Sequence, residues 1–210
     1  MSEISLREAL YGTRAMRRLR PDPVDEADLR FLVDAATQAP SGTNAQRWAF
    51  VVVTDPAQRR RIAGVYRELG ERHVGGALAS GRLDGETARV YRSALRLARH
   101  LDEAPALVLV CAAGPAPADP VAAATWYGSI FPAVQNLLLA ARSRGLGATL
   151  TTLHKIREGE IKEILGIPAD VETVALVPVG HPAGAFGRPR RRPSAEVTHW
   201  ERWGGGRRSP

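Results

Sequence analysis

Apolar residues recur at helical spacing through Leu6, Ala9 and Leu10, and again through Leu29, Leu32, Val33 and Ala36. Two amphipathic helices therefore open the chain, the second with Asp25 in position to cap its start. Between them, Arg20-Pro-Asp-Pro-Val reads as a rigid turn, because each proline fixes its own φ and pushes its predecessor to extended geometry. The short β-branched run from Trp48 to Thr54 predicts a buried strand. Residues 55–103 are rich in Arg, Glu, Ala and Leu and predict mainly helix, with a break near Gly75-Gly76 and Gly81. Further strands are expected at Leu107 to Ala112, Ala148 to Leu153 and Thr173 to Gly180. An uncharged helix over Val121 to Ala141 ends at Arg144-Gly145, where glycine supplies the C-terminal cap, and a shorter one over Glu158 to Leu165 stops before Gly166-Ile-Pro168. From His181 onward the chain is rich in Pro, Gly and Arg and has no core of its own. Such an arm must lie on something, and a partner subunit is the nearest candidate.

Strands separated by helices, without a repeat or the clean alternation of a doubly wound fold, point to an irregular α+β layer. With 210 residues, 44% of them hydrophobic and 24% charged, the chain is expected to fold as one domain over residues 1–210, with 181–210 as the arm. The span from Val121 to Ala141 is long enough to cross a bilayer. Its Thr125, Tyr127, Ser129, Pro132, Gln135 and Asn136 are too polar for a lone span, so a helix buried in a globular core is expected and no membrane. The N-terminus lacks an apolar leader, and the single cysteine, Cys111, sits in an apolar run as a buried thiol. Both suit the cytoplasm.

The net charge of +7 comes mostly from arginine, gathered at Arg14 to Arg20 and Arg188 to Arg208. Such clusters want anions. With an aromatic share of 6% and no zinc-finger or RNA-binding motif, nucleic acid is the weaker reading and a phosphorylated small molecule the stronger. No G-x-G-x-x-G follows a strand, and neither G-x-x-x-x-G-K nor C-x-x-C nor H-E-x-x-H occurs. The histidines at 73, 100, 154, 181 and 199 show no metal-ligand spacing, so no metal is expected. Any chemistry is then borrowed from a cofactor.

Four segments carry a resemblance when taken in order: Thr13 to Val24 (TRAMRRLRPDPV), Ala39 to Trp48 (APSGTNAQRW), Gly145 to Thr152 (GLGATLTT), and Gly180-His-Pro with Arg190-Arg-Arg-Pro193. In this order and spacing the chain resembles the nitroreductase family of FMN enzymes. The Thr-Thr pair, with Leu165-Gly-Ile-Pro and Val177-Pro-Val-Gly, is similar to the branch that includes iodotyrosine deiodinases. The resemblance implies a three-layer α/β/α sandwich with a central mixed sheet, an extended C-terminal arm and an intertwined homodimer. It implies FMN as cofactor, NADH or NADPH as co-substrate, and a small-molecule electron acceptor such as a nitroaromatic, quinone or conjugated alkene. Oxidase, dehydrogenase or dehalogenase chemistry, or a noncatalytic flavin- or nucleic-acid-binding role, stands as the alternative.

The same resemblance implies Arg14 at the FMN phosphate beside Ala15, and Arg17 at the pyrimidine edge. From the residues alone, Arg14 and Arg17 lie three apart, on one face if the helix continues, and equally read as a solvated charged face. Thr13 stands where a basic residue is common and Ala15 where serine is frequent, so a phosphate contact is lost there. The resemblance implies that the Arg190-Arg191-Arg192 run compensates, with Arg191 the best match for a phosphate contact. Pro40, Ser41, Gly42 and Asn44 read locally as a helix stop and turn. The resemblance implies contacts from them to the flavin held mainly by the other subunit, with Trp48 as core packing. Thr151 and Thr152 are either ordinary strand residues or, by resemblance, the position that hydrogen-bonds flavin N5.

Overall fold

The computed structural model describes residues 4–206; Arg207 and Arg208 of the basic arm, and the first three residues, lie outside them. Four strands form one sheet in the order β1-β2-β4-β3: β1 (Trp48–Val53), β2 (Ala106–Ala113), β3 (Gly147–Ala148) and β4 (Val171–Gly180). Strand β2 shows why the sheet is covered on both faces. Its even-numbered residues Ala106, Val108, Val110 and Ala112 join one apolar cluster and its odd-numbered Leu107, Leu109 and Cys111 another, as a period of two requires. The first cluster is completed by α2 (Glu26–Thr37) and α6 (Pro120–Ser143), the second by α3 (Pro56–Leu69), α5 (Gly85–Arg99) and α7 (Glu158–Leu165). This is the expected three-layer sandwich.

Every pairing between these strands is antiparallel, where a mixed sheet was expected; the sole parallel pairing among the described residues is an isolated bridge, Gly114 to Val171. A mixed sheet would need a strand from outside the chain, and β1, paired only with β2, leaves an open edge to accept one.

The helices begin where short polar residues satisfy their first N–H groups. Asp55 accepts from Gln58 N at 2.8 Å and Asp119 from Ala122 N at 2.8 Å, each followed by a proline whose missing N–H needs no partner there. Asp25 occupies the cap position of α2 but makes no side-chain cap bond. Gly75 and Gly76, expected to break the helical region, are helical instead: α3 runs through a π-turn at Gly70–Gly75 into α4 (Gly76–Ala79), and the break falls at Gly81 with φ 67°. Helix α6 carries Asn136 against Ala35 O at 3.3 Å, while Gln135 is exposed rather than buried. No described helix is long and apolar enough to cross a membrane.

Candidate functional site

Helix α1 (Leu6–Gly12) stops before the first arginine motif: the backbone turns extended at Thr13, whose hydroxyl donates back to Ala9 O at 2.6 Å, and Met16 N bonds instead to Ala148 O of the sheet. Arg14 and Arg17 are therefore not one face of a helix. They lie on an irregular segment tied to the sheet by Met16 N to Ala148 O at 3.0 Å and to the arm by a bridge between Leu19 and Pro182. Two glycines make that approach possible. A Cβ on Gly147 would stand 2.9 Å from Leu19 Cδ2, and one on Gly180 would stand 2.6 Å from Pro105 Cδ and 3.3 Å from Leu19 Cβ. Gly180→Ala is accordingly expected to destabilise the protein by about 1–3 kcal/mol through overpacking, read as a lower urea midpoint. An unchanged midpoint would disprove the close approach.

Arg14, Ala15, Met16, Arg17 and Arg18 line a cleft of about 460 Å³ together with Arg89, Ser93 and Ala183 to Ala185, and no Asp or Glu is among its lining. Among the described residues, Arg14, Arg17, Arg18 and Arg89 form no ion pair. Burial lowers the pKa of the half-buried Arg17, and the nearby Tyr66 opposes that shift. The donor set suits a ligand with a phosphate and a further site of negative charge. The arm passes this cleft at Gly187, whose Cβ would lie 3.3 Å from Arg14 Nη1. Arg190 and Arg191 do not line it: both are exposed, and Arg191 Nη1 donates to Arg190 O at 3.0 Å.

The strand expected over 148–153 is shorter. β3 is only Gly147–Ala148, followed by a single bridge in which Thr151 and Leu176 exchange both backbone bonds, at 3.0 and 2.9 Å. Thr152 then turns the chain out of the sheet into the helical turn Leu153–Arg157, with Lys155 N donating to Thr152 O at 3.0 Å. The two threonines part company here. Thr151 hydrogen-bonds the hydroxyl of Tyr66, a buried residue of α3, while the Thr152 side chain is exposed. Burial pushes the Tyr66 phenol up, with Thr151 and Arg17 pulling the other way, so Arg17, Tyr66 and Thr151 form one cluster. Sequence reasoning missed Tyr66, which sits on the apolar face of α3 with Ile62, Ala63 and Leu69 and carries no motif.

Just beyond, His154 is fully buried, and among the described residues neither ring nitrogen makes a well-formed hydrogen bond, the Thr173 backbone being a weak polar neighbour. Burial, and next the charge of Lys155, bring its pKa down to about 4. Beside it Glu158 accepts from Thr173 N at 2.7 Å, from Thr173 Oγ1 at 2.9 Å and from Lys155 Nζ at 2.6 Å. Burial works against the Glu158 carboxylate, but these bonds outweigh it and bring its pKa to about 2. Cys111 is 1% exposed and burial raises its thiol to about 11, which makes it inert at neutral pH.

The Pro40 to Asn44 loop stands elsewhere. Gly42 N donates to Ser129 Oγ of α6 at 3.0 Å, Ser41 Oγ accepts from Gln46 N at 3.1 Å, and Asn44 Oδ1 accepts from Gln46 Nε2 at 3.0 Å. Thr43, Asn44 and Gln46 take positive φ of 54°, 57° and 47° around a right-handed Ala45, a conformation Asn adopts readily but that is uncommon for threonine and glutamine. The loop feeds β1 at Trp48, which is partly buried against the core and pairs with Ala112. It therefore lies at the Val171 end of β4, whereas Gly147 and the arginine segment lie at the Gly180 end. Ten residues of strand separate the ends, about 30 Å at ~3.3 Å per residue. One copy of the chain does not bring Ser41, Gly42 and Asn44 to Arg14.

The chain is similar to known proteins along most of its length. The chain is 29% identical over 205 residues to an NADH dehydrogenase of Thermus thermophilus, covering 94% of this chain and 96% of that one. It is 31% identical over 172 residues to an iodotyrosine deiodinase of Thermotoga neapolitana, covering 80% and 84%. A nitroreductase-type crystal structure from Desulfovibrio desulfuricans, in complex with FMN, superposes with a TM-score of 0.70 at 25% identity, covering 96% of this chain and 99% of that one. The model of the nitroreductase family matches residues 10–181, a span that holds both the uncompensated arginine segment and the strained loop, and the chain belongs to that family.

Proposed function

We propose that two copies of this chain hold FMN between them and act as an NAD(P)H-dependent oxidoreductase. The observation that carries the reading is the division of the site: arginines without counter-charge at one end of β4 and a constrained turn at the other, which only a second copy can bring together. FMN supplies the redox chemistry when bound, taking reducing equivalents from a nicotinamide and giving them to an electron-poor acceptor such as a nitroaromatic, quinone or conjugated alkene.

The chain's own residues bind and orient. Arg14 holds the phosphate, with Ala15 leaving room beside it; Arg191, which does not line this cleft within one copy, serves as the second cation once the arm rearranges on the flavin-loaded dimer. Arg17, half-buried and so in a medium of lower dielectric, offsets negative charge on the reduced ring. Thr151 shares a hydrogen bond with Tyr66 in which either hydroxyl can donate, whereas the exposed Thr152 hydroxyl is not engaged in it; Thr152 is assigned as the donor towards the ring, with Thr151 in the packing. Ser41, Gly42 and Asn44 of the partner subunit close the site, and Pro40 sets the entry of that turn. The exposed Val197 and Trp203 of the arm, 50% and 89% accessible, support its lying on a second copy, as does the groove of Val24, Leu29, Val33, Phe50 and Val52, rimmed by Glu26, Arg30 and Asp34, beside the open edge of β1. A second reading, reductive dehalogenation, is favoured by the Thr-Thr pair and the deiodinase relative.

The test is to titrate the purified protein with FMN and add NADH or NADPH. A yellow protein that bleaches supports the proposal, and colourless protein that shifts DNA with a steep salt dependence defeats it. In the same assay Thr152→Ala is expected to keep the thermal midpoint and alter the bound-flavin spectrum, and Thr151→Val to do the reverse. Equal spectra for both variants and the wild type would assign the ring contact to a backbone N–H.

A further inference from the structure

The turn at Ser41 to Gln46 lines a cleft of about 460 Å³ in its own subunit, closed on the other sides by the end of β2 and the start of α6. A Cβ on Gly42 would collide with Thr125 Cγ2, so the turn is pressed against α6 and the shape of the cleft is set by packing. Its wall is mostly apolar, built by Ala113, Pro115, Pro117, Ala122 and Trp126. The hydroxyl and amide side chains that line it are already engaged within the chain. Ser41 Oγ accepts from Gln46 N at 3.1 Å, and Gln46 Nε2 donates to Asn44 Oδ1 at 3.0 Å. The hydroxyls of Thr43, Thr125 and Ser129 donate to the carbonyls of Gly42, Val121 and Thr125 at 2.7, 3.0 and 2.8 Å. Arg47 is the exception. It is exposed, it lines the cleft, and among the described residues its guanidinium makes neither a hydrogen bond nor an ion pair; no Asp or Glu shares the lining. Its backbone is fixed, since Ala113 N donates to Arg47 O at 2.8 Å and continues the pairing of β1 with β2.

An apolar cleft of this size with one uncompensated cation suits a small molecule whose body is apolar and whose one charged group is an anion. The planar guanidinium matches a carboxylate with two parallel bonds, which a neutral amide or ester cannot answer. We propose that this cleft receives the electron acceptor and that Arg47 is its specificity determinant, selecting aromatic or conjugated acceptors that carry a carboxylate over their neutral counterparts. The assignment deepens the oxidoreductase reading and rests on it in one respect, that Ser41 and Gly42 of one copy stand beside the flavin held by the other. A phosphorylated acceptor fits less well, because a doubly charged group calls for more than the single cation the lining supplies.

Calorimetric titration of the oxidised, FMN-loaded protein with 4-nitrobenzoate and with 4-nitrobenzamide, in the absence of reductant, tests this. The two probes have nearly the same shape and differ in charge. The acid is expected to bind about tenfold or more tightly at low ionic strength, with the advantage shrinking as salt is added. Arg47→Gln should cut that advantage to about twofold or less by weakening the acid, and Arg47→Lys, which keeps the charge and loses the fork, should retain part of it. Arg47 is exposed, so both variants should keep the wild-type thermal midpoint. With NADH or NADPH supplied, the same discrimination should fall on KM and not on kcat. Equal affinities for acid and amide in the wild type, or a ratio unmoved in Arg47→Gln, overturns the proposal. Flavin uptake is read first, from absorbance. If the protein takes no FMN, the oxidoreductase reading falls, and the ratio of acid to amide affinity in that same protein still decides the role of Arg47.

Discussion

Replacing Arg14 with alanine is expected to weaken FMN by about tenfold or more while leaving riboflavin almost untouched. A charge-assisted contact to phosphate is worth about 1.5–3 kcal/mol, and about 1.4 kcal/mol is already a factor of ten in Kd. Riboflavin lacks the phosphate, so it reports the ring contacts alone. The comparison is clean because Arg14 is exposed and forms no ion pair among the described residues, so its removal subtracts a ligand contact and leaves the fold intact. Arg191→Ala should show the same split between the two ligands, through the arm. Equilibrium fluorescence quenching of both flavins by both variants is the measurement. FMN affinity unchanged in Arg14→Ala and Arg191→Ala alike would move the anion site away from these arginines.

The second large effect is a loss of stability in mild acid. Unfolded, His154 takes a proton near pH 6.5; folded and desolvated, it does so only near pH 4. Between those values the unfolded state binds more protons, so the protein is at full strength above about pH 6.5 and weakens as the pH falls towards 4, by about 3 kcal/mol in all. Glu158 acts in a lower window. Its carboxylate is held ionised down to about pH 2 against an ordinary 4.5, so its contribution is present above about 4.5 and is lost as the pH falls from there to 2. Urea midpoints between pH 7 and 4 should therefore slope in the wild type and flatten in His154→Leu. An identical slope in the variant would assign the acid lability to another group.

Local signals reached the elements whose cause is local and failed where the cause lies across the fold. The run Leu107 to Ala112 was legible because a strand buried on both faces is apolar at every position. The end of α1 was not, because the arginine motif that follows is helical in composition and is pulled off the helix by a backbone bond from Met16 to a strand more than a hundred residues away. Thr151 and Thr152 look alike in sequence, and only the arrival of Tyr66 from α3 separates them. Gly75 and Gly76 stayed helical because their neighbours pack that turn against α5: a Cβ on Gly75 would lie 3.8 Å from Leu95 Cδ2. That the Pro40 to Asn44 loop and Arg14 stand at opposite ends of β4 follows from strand register, which a single sequence does not reveal.

That register also fixes when the molecule can be made. The central pair of the sheet joins Ala106 to Val179 and Leu107 to Pro178, so β2 stays unpaired on one edge until nearly the whole domain has been synthesised. Long-range pairing of this kind is slow, because the loop between the strands must close before any ladder bond rewards it. On the ribosome the chain up to α6 must wait with an apolar strand exposed, held only by β1 and its helices, until β4 emerges. Folding is thus a late event in translation, and the yield of native protein is set by how long that open edge stays unclaimed by another chain.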